Sequence, residues 1–233
     1  MTTPARRLTC AAVIVAGGAG HRLGAGIPKA FCVVAGRTLL DHAASRFVDH
    51  ADVRDVVIVA PASWLEQAAL PGTRVVVGGI LRQDSVAAGL AALAPDIDTV
   101  LIHDAARPFV PAEVITRVVD ALADGAEAVI PTVPVVDTLK RVLEGVVVET
   151  VDRSALRSVQ TPQGFRRATL EAAHAGSGGI EATDDAALIE RGGGTVVVVE
   201  GASESFKVTH PMDLILAEAL ATGMKATGMK AAG

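Results

Sequence analysis

Five apolar runs, at residues 11–16, 53–60, 74–77, 98–102 and 126–130, lack the polar alternation of a half-exposed strand. They predict β-strands buried on both faces, as in a parallel sheet covered by helices. Between them, residues 38–48, 62–70, 83–93 and 111–123 carry apolar positions at helical spacing. Pro111 suits the first turn of the last of these helices. The β-α-β-α order predicts an α/β fold, with a mainly parallel sheet and helices on both faces. Such sheets bind ligands beyond the carboxyl ends of their strands, which directs attention to the loops after Ala16 and Ile102.

The rhythm breaks at residues 132–150. Val133, Val135, Leu139, Val142 and the run 146–148 flank a Glu144-Gly145 turn, which predicts a β-hairpin arm inserted at about 132–153. An arm with apolar residues on both faces needs cover, and a second subunit is the expected cover, giving a homodimer. Helices at 167–175, 184–191 and 211–220 and a strand at 195–200 complete a single domain over residues 1–220. Residues 221–230 repeat ATGMK, so 221–233 reads as a flexible tail.

Composition narrows the partners. With 233 residues, half of them hydrophobic, one α/β domain can build its core without disulfides or metal staples. Tyr is absent and aromatics are scarce, which argues against nucleic-acid binding by base stacking. A net charge of −5 leaves no general basic field, so any anion site must be a local cluster. Cys10 and Cys32 have no CxxC spacing and read as buried free thiols of a reducing, cytoplasmic compartment. No apolar run approaches the ~20 residues of a membrane span.

The first strand runs into Ala16-Gly17-Gly18-Ala19-Gly20-His21-Arg22-Leu23-Gly24. Glycines there let backbone N–H groups crowd around phosphate oxygens. Leu23 stands where a dinucleotide loop needs its third glycine, and no Gly-Lys-Ser/Thr follows, which excludes a P-loop. What remains is an anion loop with two cations, Arg22 and Lys29, the second set by Pro28. Cations beside a phosphate nest suit nucleotidyl transfer, in which charge builds on the α-phosphorus and on departing pyrophosphate.

Gly18-x-Gly20-x-Arg22 with Pro28-Lys29 resembles the signature of nucleotidyltransferases with a Rossmann-like, GT-A-type fold. Five further motifs follow in order: Gly78-Gly79-x-x-Arg82-x-x-Ser85-Val86, His103-Asp104-Ala105-Ala106-Arg107-Pro108, Thr161-Pro162-Gln163-x-Phe165, Thr183-Asp184-Asp185 and Phe206-Lys207-Val208-Thr209. Together they resemble the 2-C-methyl-D-erythritol 4-phosphate cytidylyltransferase family over about residues 9–220. One departure is Ala16-Gly17-Gly18, where that family typically has Ala-Ala-Gly.

The resemblance implies an enzyme of the non-mevalonate route to isoprenoids, joining CMP from CTP to methylerythritol phosphate. It implies that Arg22 and Lys29 stabilise the transition state, and that Ala16, Gly17, Gly18, Gly20, Gly79, Ser85 and Ala105 bind the nucleotide. Arg107, Thr138, Arg153, Thr183, Lys207 and Thr209 would serve the acceptor, with Thr138 and Arg153 reaching it from the arm across a dimer. Asp104 would hold Mg²⁺ or another divalent cation, or pair with Arg107, and these two roles are compatible. Two alternatives stay open: another polyol phosphate, such as ribitol 5-phosphate, as acceptor, and a non-catalytic nucleotide-binding regulator.

Other polar residues have plainer readings. His21 is a solvent-facing filler and His103 a structural hydrogen-bonder, while His42, His50, His174 and His210 lack metal-ligand spacing. Thr183 before a helix reads first as its N-cap, with Asp185 in the first turn and Asp184 left open. Ser85 lacks the surroundings of a nucleophile, and Trp64 is a packing residue.

Overall fold

The computed structural model describes residues 8–18, 20, 23–24, 26–176 and 182–223. The chain forms β1 (Cys10–Val15), a small hairpin of β2 (Val33–Val34) and β3 (Arg37–Thr38), and α1 (Leu39–Val48). Next come β4 (Val53–Ala60), α2 (Leu65–Ala68), β5 (Arg74–Val77), α3 (Arg82–Ala92), β6 (Thr99–Asp104) and α4 (Ala112–Ala123). The second half supplies β7 (Ala128–Pro134), β8 (Leu139–Leu143), β9 (Val146–Val151), β10 (Arg157–Val159) and β11 (Gln163–Arg166). It ends with α5 (Arg167–Gly176), α6 (Asp185–Arg191), β12 (Val196–Glu200) and α7 (Pro211–Ala221).

The central sheet has β1 between β4 and β6, with β5 outside β4. On the other flank β11 lies antiparallel between β6 and β7, and β12 pairs parallel with the far side of β7. The chain therefore builds outward from β1 to β5, then returns to the opposite side of β1 as β6. That reversal creates a crevice beyond the carboxyl ends of β1 and β6.

Alternation along the strands divides the core into two layers. Ala12, Ile14, Ile58 and Leu101 pack with Leu40, Phe47, Val114 and Leu122, which places α1 and α4 on one face. Ala11, Val13, Val57 and Val59 pack with Val86, Leu90, Leu170 and Ile189, which places α3, α5 and α6 on the other. Each such side chain, fully buried, contributes roughly 1.5–3 kcal/mol by leaving water. A smaller cluster of Val34, Leu39, Phe109, Val208 and Ala217 seats α7 against the β2–β3 hairpin.

Several expectations need correction. The run 74–77 is the edge strand β5, and Val77 is half exposed instead of buried on both faces. The helix expected over 62–70 shrinks to a 3-10 turn at Ala62–Trp64 and the single turn α2. Pro71 disfavours helical geometry at Leu70, and Ala69 is already extended. The arm is shorter than expected, because β7 continues in the main sheet to Pro134 and the hairpin spans β8 and β9. Its turn does fall at Glu144-Gly145, both with positive φ, as a two-residue I′ turn requires. Of the expected tail, residues 224–233 lie outside the described residues. Among the described residues, no helix is long and apolar enough to cross a membrane.

Candidate active site

A cleft of about 380 Å³ opens where β1, β5 and β6 end. Its lining includes Ala16, Gly17, Gly18 and Gly20 after β1, Gly79 after β5, Ser85 of α3, and Asp104 and Ala105 at the end of β6. Lys29, Arg82, Lys207 and Thr209 complete its polar wall. Arg22 lies outside the described residues. The three described cations against one carboxylate make the cleft a local anion site in a chain of net charge −5.

Local backbone bonds carry each residue to its place. The Lys29 amide donates to the Gly18 carbonyl at 3.1 Å, folding the loop back so that its lysine meets its glycines. Gly20 makes this return at φ +70°, where an added Cβ would also crowd the Lys29 amide at 3.2 Å. The ladder continues past the strand ends: the Ala16 amide donates to Val59, Ala105 to Val15, and Gly78 to Ala60. The first turn of α3 then brings Arg82 and Ser85 to the wall, where the Ser85 hydroxyl donates to the Leu81 carbonyl. Asp84 accepts the Leu81 amide and helps to start this helix.

A charge network crosses the floor of the cleft. Lys207 Nζ lies 2.7 Å from Asp104 Oδ2, and Arg82 Nε lies 3.4 Å from Asp104 Oδ1. Arg82 Nη1 reaches Asp185 Oδ2 at 2.6 Å, and Asp185 also meets His174 Nε2 at 3.1 Å. Burial alone would raise the Asp104 carboxyl, but Arg82 and Lys207 beside it hold it well below the usual carboxylate range. Arg82, opposed by burial, is kept charged by Asp185 and Asp104. The sequence motif contained Arg82 but gave it no role. A cation in the first turn of a helix opposes the helix dipole, and that was the available hint of an acidic partner.

Behind Asp104, His103 is fully buried. Its Nε2 lies 3.0 Å from the Arg107 carbonyl, so that nitrogen carries the proton and donates. Nδ1 then accepts from the Thr161 hydroxyl at 2.9 Å, and Thr161 in turn accepts the Asp104 amide at 3.2 Å. Burial pushes the imidazole pKa down to about 4, so the ring is neutral. The histidine thus orients the strand end that bears Asp104.

The model of the 2-C-methyl-D-erythritol 4-phosphate cytidylyltransferase family matches residues 10–223. The chain is 48% identical to the enzyme of that name from Streptomyces coelicolor, over 94% of this chain and 86% of that one. It is also 48% identical to the one from Rhodococcus jostii, over 90% of this chain and 93% of that one. The chain belongs to the 2-C-methyl-D-erythritol 4-phosphate cytidylyltransferase family.

The crystal structure of a family member from Thermus thermophilus superposes with a TM-score of 0.78 at 42% identity, covering 92% of this chain and all of that one. A 4-diphosphocytidyl-2C-methyl-D-erythritol synthase from Anaerococcus prevotii gives 0.82 at 26% identity, covering 94% and 98%. Against that family pattern, four residues assigned from sequence to the acceptor stand away from the cleft lining. Thr138 and Arg153 are exposed at the base of the arm, and Arg153 Nη1 donates to the Val136 carbonyl. Thr183 is exposed and does not cap α6; Asp184 does, accepting the Ala187 amide at 3.0 Å and the Gln163 side chain at 2.7 Å. Arg107 does not pair with Asp104 by hydrogen bond, and its guanidinium donates to the carbonyls of Ser205 and Val159. Lys207, expected on a phosphate, rests on Asp104.

Asp104 was also assigned a divalent cation. Among the described residues no three His, Cys, Asp or Glu side chains cluster as a metal cage. Mg²⁺ does not need one, since it commonly takes one or two carboxylates together with substrate phosphates and waters. Asp104, ionised and buried at the cleft wall, is a donor of that kind.

Proposed function

We propose that this chain transfers the cytidylyl group of CTP to the phosphate of 2-C-methyl-D-erythritol 4-phosphate, releasing pyrophosphate and 4-diphosphocytidyl-2-C-methyl-D-erythritol. The observation that carries the reading is the cleft at the ends of β1 and β6. There a glycine loop with Lys29 faces Asp104, Arg82 and Lys207. In this reading the glycine loop and Lys29 receive the triphosphate, with Arg22 as a second cation on sequence grounds. Gly79, Ser85 and Ala105 flank the nucleoside. An acceptor phosphate is already anionic near neutral pH, so its oxygen attacks the α-phosphorus without a general base. The new P–O bond forms as the bond to pyrophosphate breaks, and fixed cations neutralise the charge.

Asp104 would hold Mg²⁺, which when bound would supply charge neutralisation for the triphosphate. Lys207, released from Asp104 by the incoming anions, would turn to the acceptor phosphate, with the Thr209 hydroxyl nearby. The active form is read as a cytoplasmic homodimer. The support for the dimer is the arm, which leaves Val142, Leu143, Val146, Val147 and Val148 more than half exposed on one chain.

The test is pyrophosphate release from CTP and Mg²⁺ with methylerythritol phosphate, ribitol 5-phosphate, or no acceptor. Release that depends on methylerythritol phosphate is the expected result. Release with ribitol phosphate alone would move the acceptor, and CTP binding without release in any arm would leave a nucleotide-binding regulator.

A further inference from the structure

Arg107 stands close behind the cleft, with no hydrogen bond from its guanidinium to a side chain among the described residues. It leaves β6 three residues after Asp104, and its backbone is tied at both ends: its amide donates to the Asp104 carbonyl, and its carbonyl accepts from His103. Its side chain is largely buried, and burial lowers its pKa although Asp104 opposes this. Nη1 donates to the Ser205 carbonyl at 2.8 Å and Nη2 to the Val159 carbonyl at 3.2 Å. Nε is also buried and has no hydrogen-bond partner among the described residues. Through its guanidinium and its own backbone, Arg107 joins three segments of chain.

Those three segments are informative. Val159 belongs to β10, the strand by which the chain returns from the arm to the sheet. Ser205 ends a 3-10 turn whose other end is held by Gln160, which bonds both the carbonyl and the amide of Ala202 at 2.8 and 3.1 Å. Two residues beyond Ser205 stands Lys207, and the next amide, of Val208, donates to the Ala106 carbonyl at 2.8 Å. Lys207 is therefore bracketed: Arg107 grips the chain before it and Ala106 the chain after it. Its own ammonium enters the cleft from that fixed frame to meet Asp104.

We propose that Arg107 is a positioning residue that locks the Lys207 segment to β10 at the root of the arm, and acts on the acceptor phosphate only through Lys207. This rests on the proposed reaction and assigns Arg107 a different task from direct phosphate binding. Misplacing a cation by about 1 Å can cost ~100-fold in rate, so a clamp of this kind is worth a buried guanidinium.

The test combines a double-mutant cycle with amide exchange on the full chain. Arg107→Ala should lower the single-turnover kcat/KM for methylerythritol phosphate by about 100-fold in the wild-type background. In a Lys207→Ala background the same change should cost no more than about twofold, because the residue it positions is gone. Exchange should quicken in the 203–209 peptide while peptides of β1, β4 and β6 keep their protection. Equal losses in both backgrounds would put Arg107 on the substrate itself and overturn the proposal. Unchanged exchange at 203–209 would do so as well. Faster exchange throughout the central strands would reduce Arg107 to general stability and overturn it too. Should the wild-type chain release no pyrophosphate, the reaction proposed above fails, and the exchange comparison still decides whether the clamp exists.

Discussion

His103 couples acidity to stability at the scale of one side chain. Its ring is buried against Phe47, with centroids 4.8 Å apart, and both nitrogens are engaged with the ring neutral. In the unfolded chain the imidazole titrates near 6.5, and in the fold burial holds it at about 4. Between these values the unfolded chain binds a proton that the folded chain refuses, so stability falls as pH falls through that window. The contribution is fully present above about pH 6.5, and roughly 3 kcal/mol of it is lost by pH 4. Urea unfolding of the wild type and of His103→Gln at pH 7 and pH 4.5 should show a steeper acid loss in the wild type. Parallel losses would assign the acid sensitivity elsewhere, though not to Asp104, whose depressed carboxyl loses its stabilisation only at still lower pH. From sequence, His103 was read as a structural hydrogen-bonder, and its contacts agree. The pairing of Arg82 with Asp104 and Asp185 was not legible, since it joins residues 22 and 103 positions apart.

At the scale of elements, one glycine sets how deep α3 sits and so where its first turn meets the cleft. An added Cβ at Gly89 would lie 2.3 Å from Val13 Cγ1 and 3.0 Å from Val59 Cγ2, both on buried central strands. Gly89→Ala gains about 1 kcal/mol of helix propensity but overpacks the core at a cost of roughly 1–3 kcal/mol. Because Val13 and Val59 have no free space to yield, overpacking should win. The variant should unfold at lower denaturant, and its KM for CTP should rise as Arg82 and Ser85 shift outward. An unchanged midpoint would mean that α3 tilts freely. The parallel strands β1, β4 and β6 were legible because burial on both faces leaves the apolar runs Cys10–Val15, Val56–Ala60 and Val100–Ile102, although Arg54 and Asp55 at the start of β4 reach the surface. β11 was not, although it lies between β6 and β7: its sequence, QGFR, has one large apolar residue, Phe165, and a glycine. That short stretch has no periodicity to read. Its place is set by neighbours, with Gly164 so close to Val118 and Leu122 of α4 that no side chain fits.

For the whole molecule the open question is which cleft the arm serves. The hairpin of β8 and β9 forms its own two-stranded sheet, separate from the main one, and its cross-strand pairs Lys140–Thr150 and Arg141–Glu149 are exposed. An isolated hairpin is marginal in water, so one with this much uncovered valine and leucine calls for a partner surface. Within one chain, Arg153 at its root stands outside the cleft lining. If a second copy covers the arm beside that copy's cleft, two-fold symmetry makes the exchange reciprocal, and function can be rebuilt from two defective chains. Lys29→Ala disables a cleft but leaves its arm intact, while Arg153→Ala disables an arm but leaves its cleft intact. Each variant alone should be nearly inactive in pyrophosphate release. After subunit exchange, half of the dimers would be mixed, and each mixed dimer would have one intact cleft facing one intact arm. The mixture should therefore recover about a quarter of wild-type activity. The substitution Val147→Asp in the Lys29→Ala chain should abolish that recovery by leaving the arm unable to dock. If mixing restores nothing while sedimentation shows mixed dimers forming, each arm serves its own cleft, and the apolar hairpin holds the dimer without completing the site.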